Sequence, residues 1–329
     1  VVKEMLCIGI DKEKILEHLK KLGSINVASH HDADGVYSAV LLSKVIDIGN
    51  ISFPDKFGDY SESQIALDLG SPLDKDWDGI IIDHHPHDQT DMKYTLIWDI
   101  YPTGLIVYEL FKKYIPTEYS WLTVGSLVGD GQPSVTPAEI WNDHPTLLEM
   151  RGSIYESYGK LNMYEYPLYT LLSSPINATC RVGNPYTAYK ILKTCKTPDD
   201  VISHPTFKED QEILNQEYDR IIGEFGRDKK ARRNTIEISQ FLIIPFESQF
   251  KIASRIASSL QPNVKKTVIA INYKTGEISV RGDLAYLLLD KMIPLGWNLG
   301  GHAGYVGGDL SNKTVNDFLL DLRKQFKGL

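Results

Sequence analysis

Residues 79–87 read Gly-Ile-Ile-Ile-Asp-His-His-Pro-His: three β-branched apolar residues run directly into Asp83, His84, His85 and His87. A short unbroken run such as Ile80, Ile81 and Ile82 suits a strand covered on both faces, as in a parallel sheet flanked by helices. Ligands of such sheets gather beyond the carboxyl ends of the strands, where this run delivers its aspartate and histidines. The pattern occurs twice more upstream. Ile25 to Gly35, INVASHHDADG, leads into His30, His31, Asp32 and Asp34, and Ile65 to Gly70, IALDLG, ends in Asp68. Three such strands in one sheet set these side chains on one rim, which is the predicted site.

The flanking sequence predicts an α/β fold. Asp11 is the expected cap of a helix that carries Ile15, Leu16, Leu19 and Leu22 on one face and stops at Gly23. The HHDADG turn continues as a buried helix through Val36 to Val45, and further strands are expected near Ile51 and over 64–69, 78–83 and 95–98. Strands alternating with helices argue a largely parallel sheet. From Pro102 the pattern turns helical, over 102–115 and 119–128, with Asp130 in the loop that follows, and 137–192 reads as more helices. A long helix over 207–225 precedes the basic cluster Arg227, Lys229, Lys230, Arg232 and Arg233. Strands over 235–239, 267–272 and 278–281 and a helix over 251–260 follow. The expected organisation is therefore a parallel-sheet catalytic domain with a helical extension over 1–215, a linker helix and basic segment over 216–233, and a smaller α/β domain over 234–329.

At 329 residues, with 42% hydrophobic and 24% charged residues, the composition is that of an ordinary soluble globular protein with room for two cores. No apolar run is long enough for a membrane span, and the start, VVKEMLCIGIDKEK, lacks the order of a signal peptide. The expected location is the cytoplasm, with no membrane partner. Cys7, Cys180 and Cys195 are too few and too widely spaced for a zinc site or a disulfide framework. A net charge of -8 argues against bulk attraction to duplex DNA but leaves room for a local basic groove, and carboxylates that bind cations add to the negative count.

Aspartates and histidines gathered together select hard to borderline divalent cations, with Mn²⁺ the better fit to a mixed set and Mg²⁺ also admitted. Five of the nine histidines fall at 30–31 and 84–87. His30, Asp32 and Asp34 alternate, so an extended backbone would point all three to one side. Asp68 and His84 arrive from neighbouring strands, and Asp130 closes the set from the helical side. Six ligands are too many for one catalytic ion that must leave room for substrate, whereas two ions sharing an aspartate accommodate them. Two-metal sites of this kind catalyse in-line displacement at phosphorus.

Asp83-His84-His85, His30-x-Asp32-x-Asp34-Gly35, Asp68-Leu69-Gly70 and Gly129-Asp130 resemble, in order and spacing, the DHH phosphoesterase superfamily. The resemblance implies two Mn²⁺ or Mg²⁺ ions. One is held by His30, Asp32 and Asp68, and the other by Asp34, Asp68, His84 and Asp130, with Asp68 bridging. His85 then faces the scissile phosphate and Asp83 supports the site. Asn177, Ala178 and Arg181 in SPINATCRVGNPYTAY resemble a segment of RecJ-type exonucleases, and Gly300, Gly301 and His302 in LGGHAG resemble the GGH motif of a DHHA1 substrate-binding domain. Read from the residues alone, Gly300-Gly301-His302 is a loop where backbone approaches a phosphate. Arg281, at the end of a strand, is a candidate phosphate clamp. Arg255 and Lys251, four apart on one helix face, are weaker candidates. Tyr305 and Cys180 depart from the family pattern, and the chain is expected to lack the extra OB-type domain of bacterial RecJ, which favours short or end-bound substrates.

The resemblance extends to small archaeal RecJ-like nucleases. It implies an exonuclease, related to a role in DNA repair, replication or RNA turnover, that releases 5′-mononucleotides from single-stranded DNA or RNA, with a lean to 3′→5′ polarity. Catalysis is expected between the two domains, and Arg227 to Arg233 would track the strand. Related helicase-associated subunits imply a replisome partner such as a GINS-type complex. A phosphodiesterase or phosphatase acting on short oligonucleotides, nucleoside bisphosphates or cyclic dinucleotides is the second reading. A replisome scaffold without catalysis is the third, disfavoured because a scaffold has no need to keep six ligands together.

Overall fold

The isoleucine runs form the centre of a six-stranded sheet. The computed structural model describes residues 5–11, 14–55, 58–60, 62–87, 92–157, 160–226, 235–302 and 304–327, and the chain divides into two units, Val1–Gln211 and Glu212–Leu329. The first opens with β1 (Leu6–Ile8), α1 (Ile15–Leu22), β2 (Ile25–Ser29), α2 (Ala33–Leu42), β3 (Ile48–Ser52), β4 (Ile65–Leu67), β5 (Ile80–Asp83) and β6 (Thr95–Trp98). The strand order is β1-β6-β5-β4-β2-β3. All neighbours run parallel except β1, which joins the edge antiparallel to β6. Ser29 pairs with Leu67 and Leu67 with Ile82. β2, β4 and β5 therefore end level, and the polar residues that follow them share one rim.

Helix α1 ends at Gly23 as its pattern predicts; Lys14 precedes its first residue and makes no side-chain cap, and Lys14 N–H donates to Asp11 O at 2.9 Å. Every residue of α2 is buried. It is enclosed by α3 (Thr103–Phe111), α4 (Trp121–Gly129) and later helices, with Tyr37, Phe111 and Trp121 among the largest fully buried side chains. The chain continues through α5 (Ala138–Asp143), strands β7 (Met150–Ser157) and β8 (Lys160–Pro167), α6 (Ser173–Val182), α7 (Pro185–Thr194), α8 (Pro198–Ser203) and the long α9 (Pro205–Gly226). The β7–β8 hairpin, paired from Met150↔Pro167 to Ser157↔Lys160, corrects the expectation of helix across 137–192. Its sequence is rich in tyrosine, with Tyr155, Tyr158, Tyr164 and Tyr166, a residue enriched in strands.

The second unit contains β9 (Ile236–Ile238), β10 (Phe241–Phe246), α10 (Ala253–Leu260), β11 (Thr267–Asn272), β12 (Glu277–Arg281), α11 (Ala285–Met292), β13 (Asn298–His302), β14 (Tyr305–Asp309) and α12 (Val315–Gln325). Its sheet runs β13-β14-β12-β11-β10-β9. Alternate residues Phe241, Ile243, Ile269, Ile271, Ile278 and Val280 point to a core shared with Leu288 of α11 and Phe318 and Leu322 of α12. Strand β10, FLIIPF, had no counterpart in the sequence reading, because Pro245 interrupts its apolar run. The basic cluster Arg227 to Arg233 lies outside the described residues. Among those described, no helix is long and apolar enough to cross a membrane.

Candidate metal centre

The rim where β2, β4 and β5 end meets the start of α2. His30 follows β2, and its N–H donates to Leu67 O at 3.1 Å. Asp32 is then the N-cap of α2, its Oδ1 accepting from Gly35 N–H at 3.1 Å. Asp34 already lies in the first helical turn. The three residues thus converge through a helix start and not through extended alternation, which corrects that part of the sequence reading. Gly35 permits the turn, since a Cβ there would stand 2.2 Å from His30 O.

Asp68 leaves β4 with φ +61°, a left-handed conformation that aspartate tolerates better than most residues. Its N–H donates to Ile82 O at 3.1 Å, which ties it to β5. The carboxylate is nearly fully buried and its two oxygens face different partners. Oδ2 lies 3.5 Å from His30 Nδ1, which is itself 2.9 Å from Asp32 Oδ2. Oδ1 lies 3.2 Å from His84 Nε2, which is also 3.2 Å from Asp130 Oδ2 and 3.8 Å from Asp34 Oδ2. Among the described residues three groups of close donor atoms result: His30, Asp32 and Asp68; Asp34, His84 and Asp130; and Asp68, Asp83, His84 and His85, in which Asp83 is taken up by the hydrogen bonds of the histidines. Asp130 enters from the C-terminal end of α4.

Asp34 is held from several sides. Oδ2 accepts from Thr103 N–H at 2.9 Å; Oδ1 accepts from Gly104 N–H at 3.1 Å, Ser126 Oγ at 2.5 Å and Ser38 Oγ at 3.2 Å. Its charge thus sits at the positive N-terminal end of α3. Thr103 Oγ1 also reaches Asp68 Oδ1 at 3.3 Å. None of Ser38, Thr103 and Ser126 was singled out in the sequence. Ser126 stands four residues before Asp130 on α4, a spacing that sets both on one helix face.

Asp83 is a fully buried hub. Its Oδ1 accepts from His84 N–H at 2.8 Å and His85 Nδ1 at 2.8 Å; its Oδ2 accepts from Gly70 N–H at 2.8 Å and His87 Nε2 at 2.8 Å. Both rings must donate to the carboxylate, so His85 keeps its proton on Nδ1 and turns Nε2 away. His87 does not join the metal-ligand set: its ring is buried, with Nδ1 3.0 Å from Ser71 Oγ.

Burial and the crowding of carboxylates set the protonation of the cluster. Burial, then the charges of Asp68 and Asp32, lift Asp34 to about 7. Burial, then Asp34, Asp68 and Asp32, lift Asp130 to about 9. Burial opposes the charge on His84, yet its bond to Asp68 and the charges of Asp68, Asp34 and Asp130 raise it to about 10. Burial likewise opposes ionisation of Asp32 and Asp83, but the adjoining histidines hold both carboxyls below the usual range. Four carboxylates this close cannot all ionise comfortably without cations. The donor set, oxygen-rich with imidazoles, fits divalent cations of the Mn²⁺ or Mg²⁺ type.

The substrate-binding candidates fall in two places. Asn177, on α6, turns its Oδ1 to Ala33 N–H at 2.9 Å and so holds the start of α2. Arg181 is half-buried in the last turn of the same helix. The others belong to the second unit. Arg255 on α10 donates to Asn215 Oδ1 at 2.7 Å and lies 4.3 Å from the centre of the Tyr218 ring; Lys251 precedes α10 and does not share its face. Arg281, ending β12, donates to Ser258 Oγ at 3.0 Å and to Val280 O and Val306 O, with the Tyr305 ring centre 5.1 Å away. Gly300, Gly301 and His302 form the end of β13, paired with β14, and not a loop. Gly301, with φ +139°, is required there because a Cβ would meet Tyr305 O at 2.2 Å, while one at Gly300 would meet nothing within 4 Å. The side chain of His302 and residue Ala303 lie outside the described residues.

Compared as sequence, the chain matches no family model and no curated protein. Compared as structure, it resembles RecJ of Thermus thermophilus in complex with Mn²⁺, with a TM-score of 0.67 and 17% identity over 97% of this chain and 54% of that one. The chain thus spans about half the length of that relative. It also resembles an exonuclease RecJ bound to manganese, with a TM-score of 0.64 and 16% identity over 97% of this chain and 94% of that one. The DHH domain of a member of a family of ribosomal proteins follows at a TM-score of 0.61 and 11% identity, over 97% and 89%. With its level strand ends, its buried Asp and His cluster and these structural relatives, the chain has the fold of the DHH phosphoesterase superfamily.

Proposed function

We propose that the chain is a two-metal phosphodiesterase that hydrolyses single-stranded DNA or RNA from an end and releases 5′-mononucleotides, with 3′→5′ as the favoured direction. The observation that carries this reading is the position of Asp68, one buried carboxylate with an oxygen toward each of two donor groups. Two divalent cations bound there supply the positive charge that activates a water and steadies the departing oxygen. His30, Asp32 and Asp68 hold one, and Asp34, Asp68, His84 and Asp130 hold the other. Asp83 fixes His85 through Nδ1, so His85 presents Nε2 toward the phosphate and holds a proton there for the leaving group. The RecJ structures in complex with Mn²⁺ and with Mg²⁺ support a divalent ion of either kind, with Mn²⁺ the better fit to a mixed Asp and His set.

Charge partition supports a polyanionic substrate. Residues 212–329 carry 17 Lys and Arg against 13 Asp and Glu, a net +4, whereas residues 1–211 carry 18 against 30, a net -12. The acidic excess lies in the unit that holds the cluster, and the basic excess in the unit that carries Arg255, Arg281 and Gly300 to His302. The test is a time course on end-labelled single-stranded DNA and RNA of several lengths with Mn²⁺, Mg²⁺ or EDTA. A ladder from one end that EDTA abolishes is expected, and its direction gives the polarity. Turnover confined to dinucleotides or bisphosphates contradicts the strand-degrading reading.

A further inference from the structure

One face of the acidic first unit carries the opposite charge. Residues 166–198 contain Arg181, Lys190, Lys193 and Lys196 and not one Asp or Glu. Helix α7 buries Ala188, Tyr189 and Leu192. Its outer face presents Tyr186, Lys190 and Lys193 at helical spacing, all exposed. Lys44, just past the C-terminal end of α2, joins them: its Nζ donates to Lys193 O at 3.2 Å. Among the described residues, Lys44, Lys190 and Lys193 form no ion pair. Each instead lies over a tyrosine ring: Lys44 over Tyr119 at 3.9 Å, Lys190 over Tyr186 at 4.3 Å and Lys193 over Tyr189 at 5.7 Å. Burial and the neighbouring Lys193 lower the pKa of Lys44, so these cations are crowded against one another.

The stripe has a direction. Helix α6 meets the metal-centre end of α2, since Asn177 bonds Ala33 and Cys180 senses the charge of Asp32. Helix α7 starts three residues after α6 ends and packs along α2. It finishes where Lys193 O meets Lys44, ten residues and about 15 Å of helix beyond Asp34. Arg181 thus lies toward the metal-centre end of α2, and Lys190, Lys193 and Lys44 gather at its far end.

Resting on the proposed strand-degrading activity, we infer that the outer face of α7, with Lys44, docks the sugar-phosphate backbone of the single strand and leads it along α2. A narrow cationic stripe on a unit of net charge -12 suits a thin polyanion. A broad acidic protein surface would meet the surrounding carboxylates.

The double variant K190E/K193E tests this, because both side chains are exposed and neither belongs to the metal centre. Binding of a phosphorothioate thymidylate strand is followed by fluorescence anisotropy across a salt series, beside hydrolysis of the same sequence and of a dinucleotide. Each lost phosphate contact should shallow the salt slope by about 0.7. The expected result is a slope reduced by about 1.4, a KM for the long strand raised about tenfold, and unchanged dinucleotide turnover. An unchanged slope overturns the proposal, as does equal loss on the dinucleotide, wild-type protein that binds no strand, or strand binding that polyglutamate displaces at equal charge. Strand binding with the predicted slope change but no hydrolysis would sustain the docking face and reject the nuclease reading alone.

Discussion

Asp68 Oδ1 stands 3.2 Å from His84 Nε2 while its second oxygen faces His30, so one side chain serves two donor groups. Asp68→Asn keeps the volume and removes the charge from both. Hydrolysis should fall by about three orders of magnitude, with circular dichroism and the unfolding profile of the metal-free protein little changed. Retention of more than a tenth of the Mn²⁺-dependent rate would contradict the shared position.

Gly35 is the backbone condition for that geometry. A methyl group there meets His30 O at 2.2 Å, and the obstacle is main chain and cannot rotate away. Gly35→Ala should cost about 1–3 kcal/mol of stability and reduce activity far more than Gly300→Ala, where the space is open. Thermal unfolding and rate measured on both variants decide this, and similar losses in the two would contradict it.

His87 acts through Asp83. It donates to Oδ2 while His85 donates to Oδ1, so removing His87 takes away one of the donors that orient the carboxylate toward His85 and leaves Gly70 N–H alone on Oδ2. His87→Leu should lower kcat about tenfold with KM nearly constant. His87→Gln keeps an N–H at the same reach and should recover most of the loss. Equal kcat in the two variants would show that the hydrogen bond to Asp83 is not what matters.

The cluster also ties stability to pH. Metal-free Asp34 and Asp130, lifted to about 7 and about 9, keep protons that the unfolded chain has lost above about pH 4. His30 and His84, both raised, keep theirs beyond the unfolded value of about 6.5. The native state therefore binds more protons than the unfolded state across this window, and stability falls as pH rises. In EDTA, Tm should decline from about pH 5 to about pH 9, and the stabilisation by Mn²⁺ should grow over the same range, because binding expels those protons. A metal-free Tm that climbs with pH would contradict the assignment.

Much of this arrangement is legible in the chain. Ile80 to Asp83 and Thr95 to Trp98 announce their strands because both faces are buried and nothing polar interrupts them. The motif spacings single out His30, Asp32, Asp34, Asp68, His84 and Asp130, and these are the residues the level strand ends gather. Local periodicity misleads at Asp34, where a helix start replaces extended backbone, and at Gly300 to His302, where glycines allow two strands to approach and form no loop. Ser126 and Thr103 were hidden for a different reason. Their partners lie 92 and 35 residues away, and no local pattern distinguishes a serine that serves a buried carboxylate from one that faces water.

The most direct measurement is electron paramagnetic resonance of the protein titrated with Mn²⁺, beside the count of bound ions at saturation. Two ions per chain with the spectrum of an exchange-coupled pair, lost in Asp68→Asn, is the predicted result. A single ion with an uncoupled six-line spectrum, unchanged by that substitution, would contradict a centre built on Asp68.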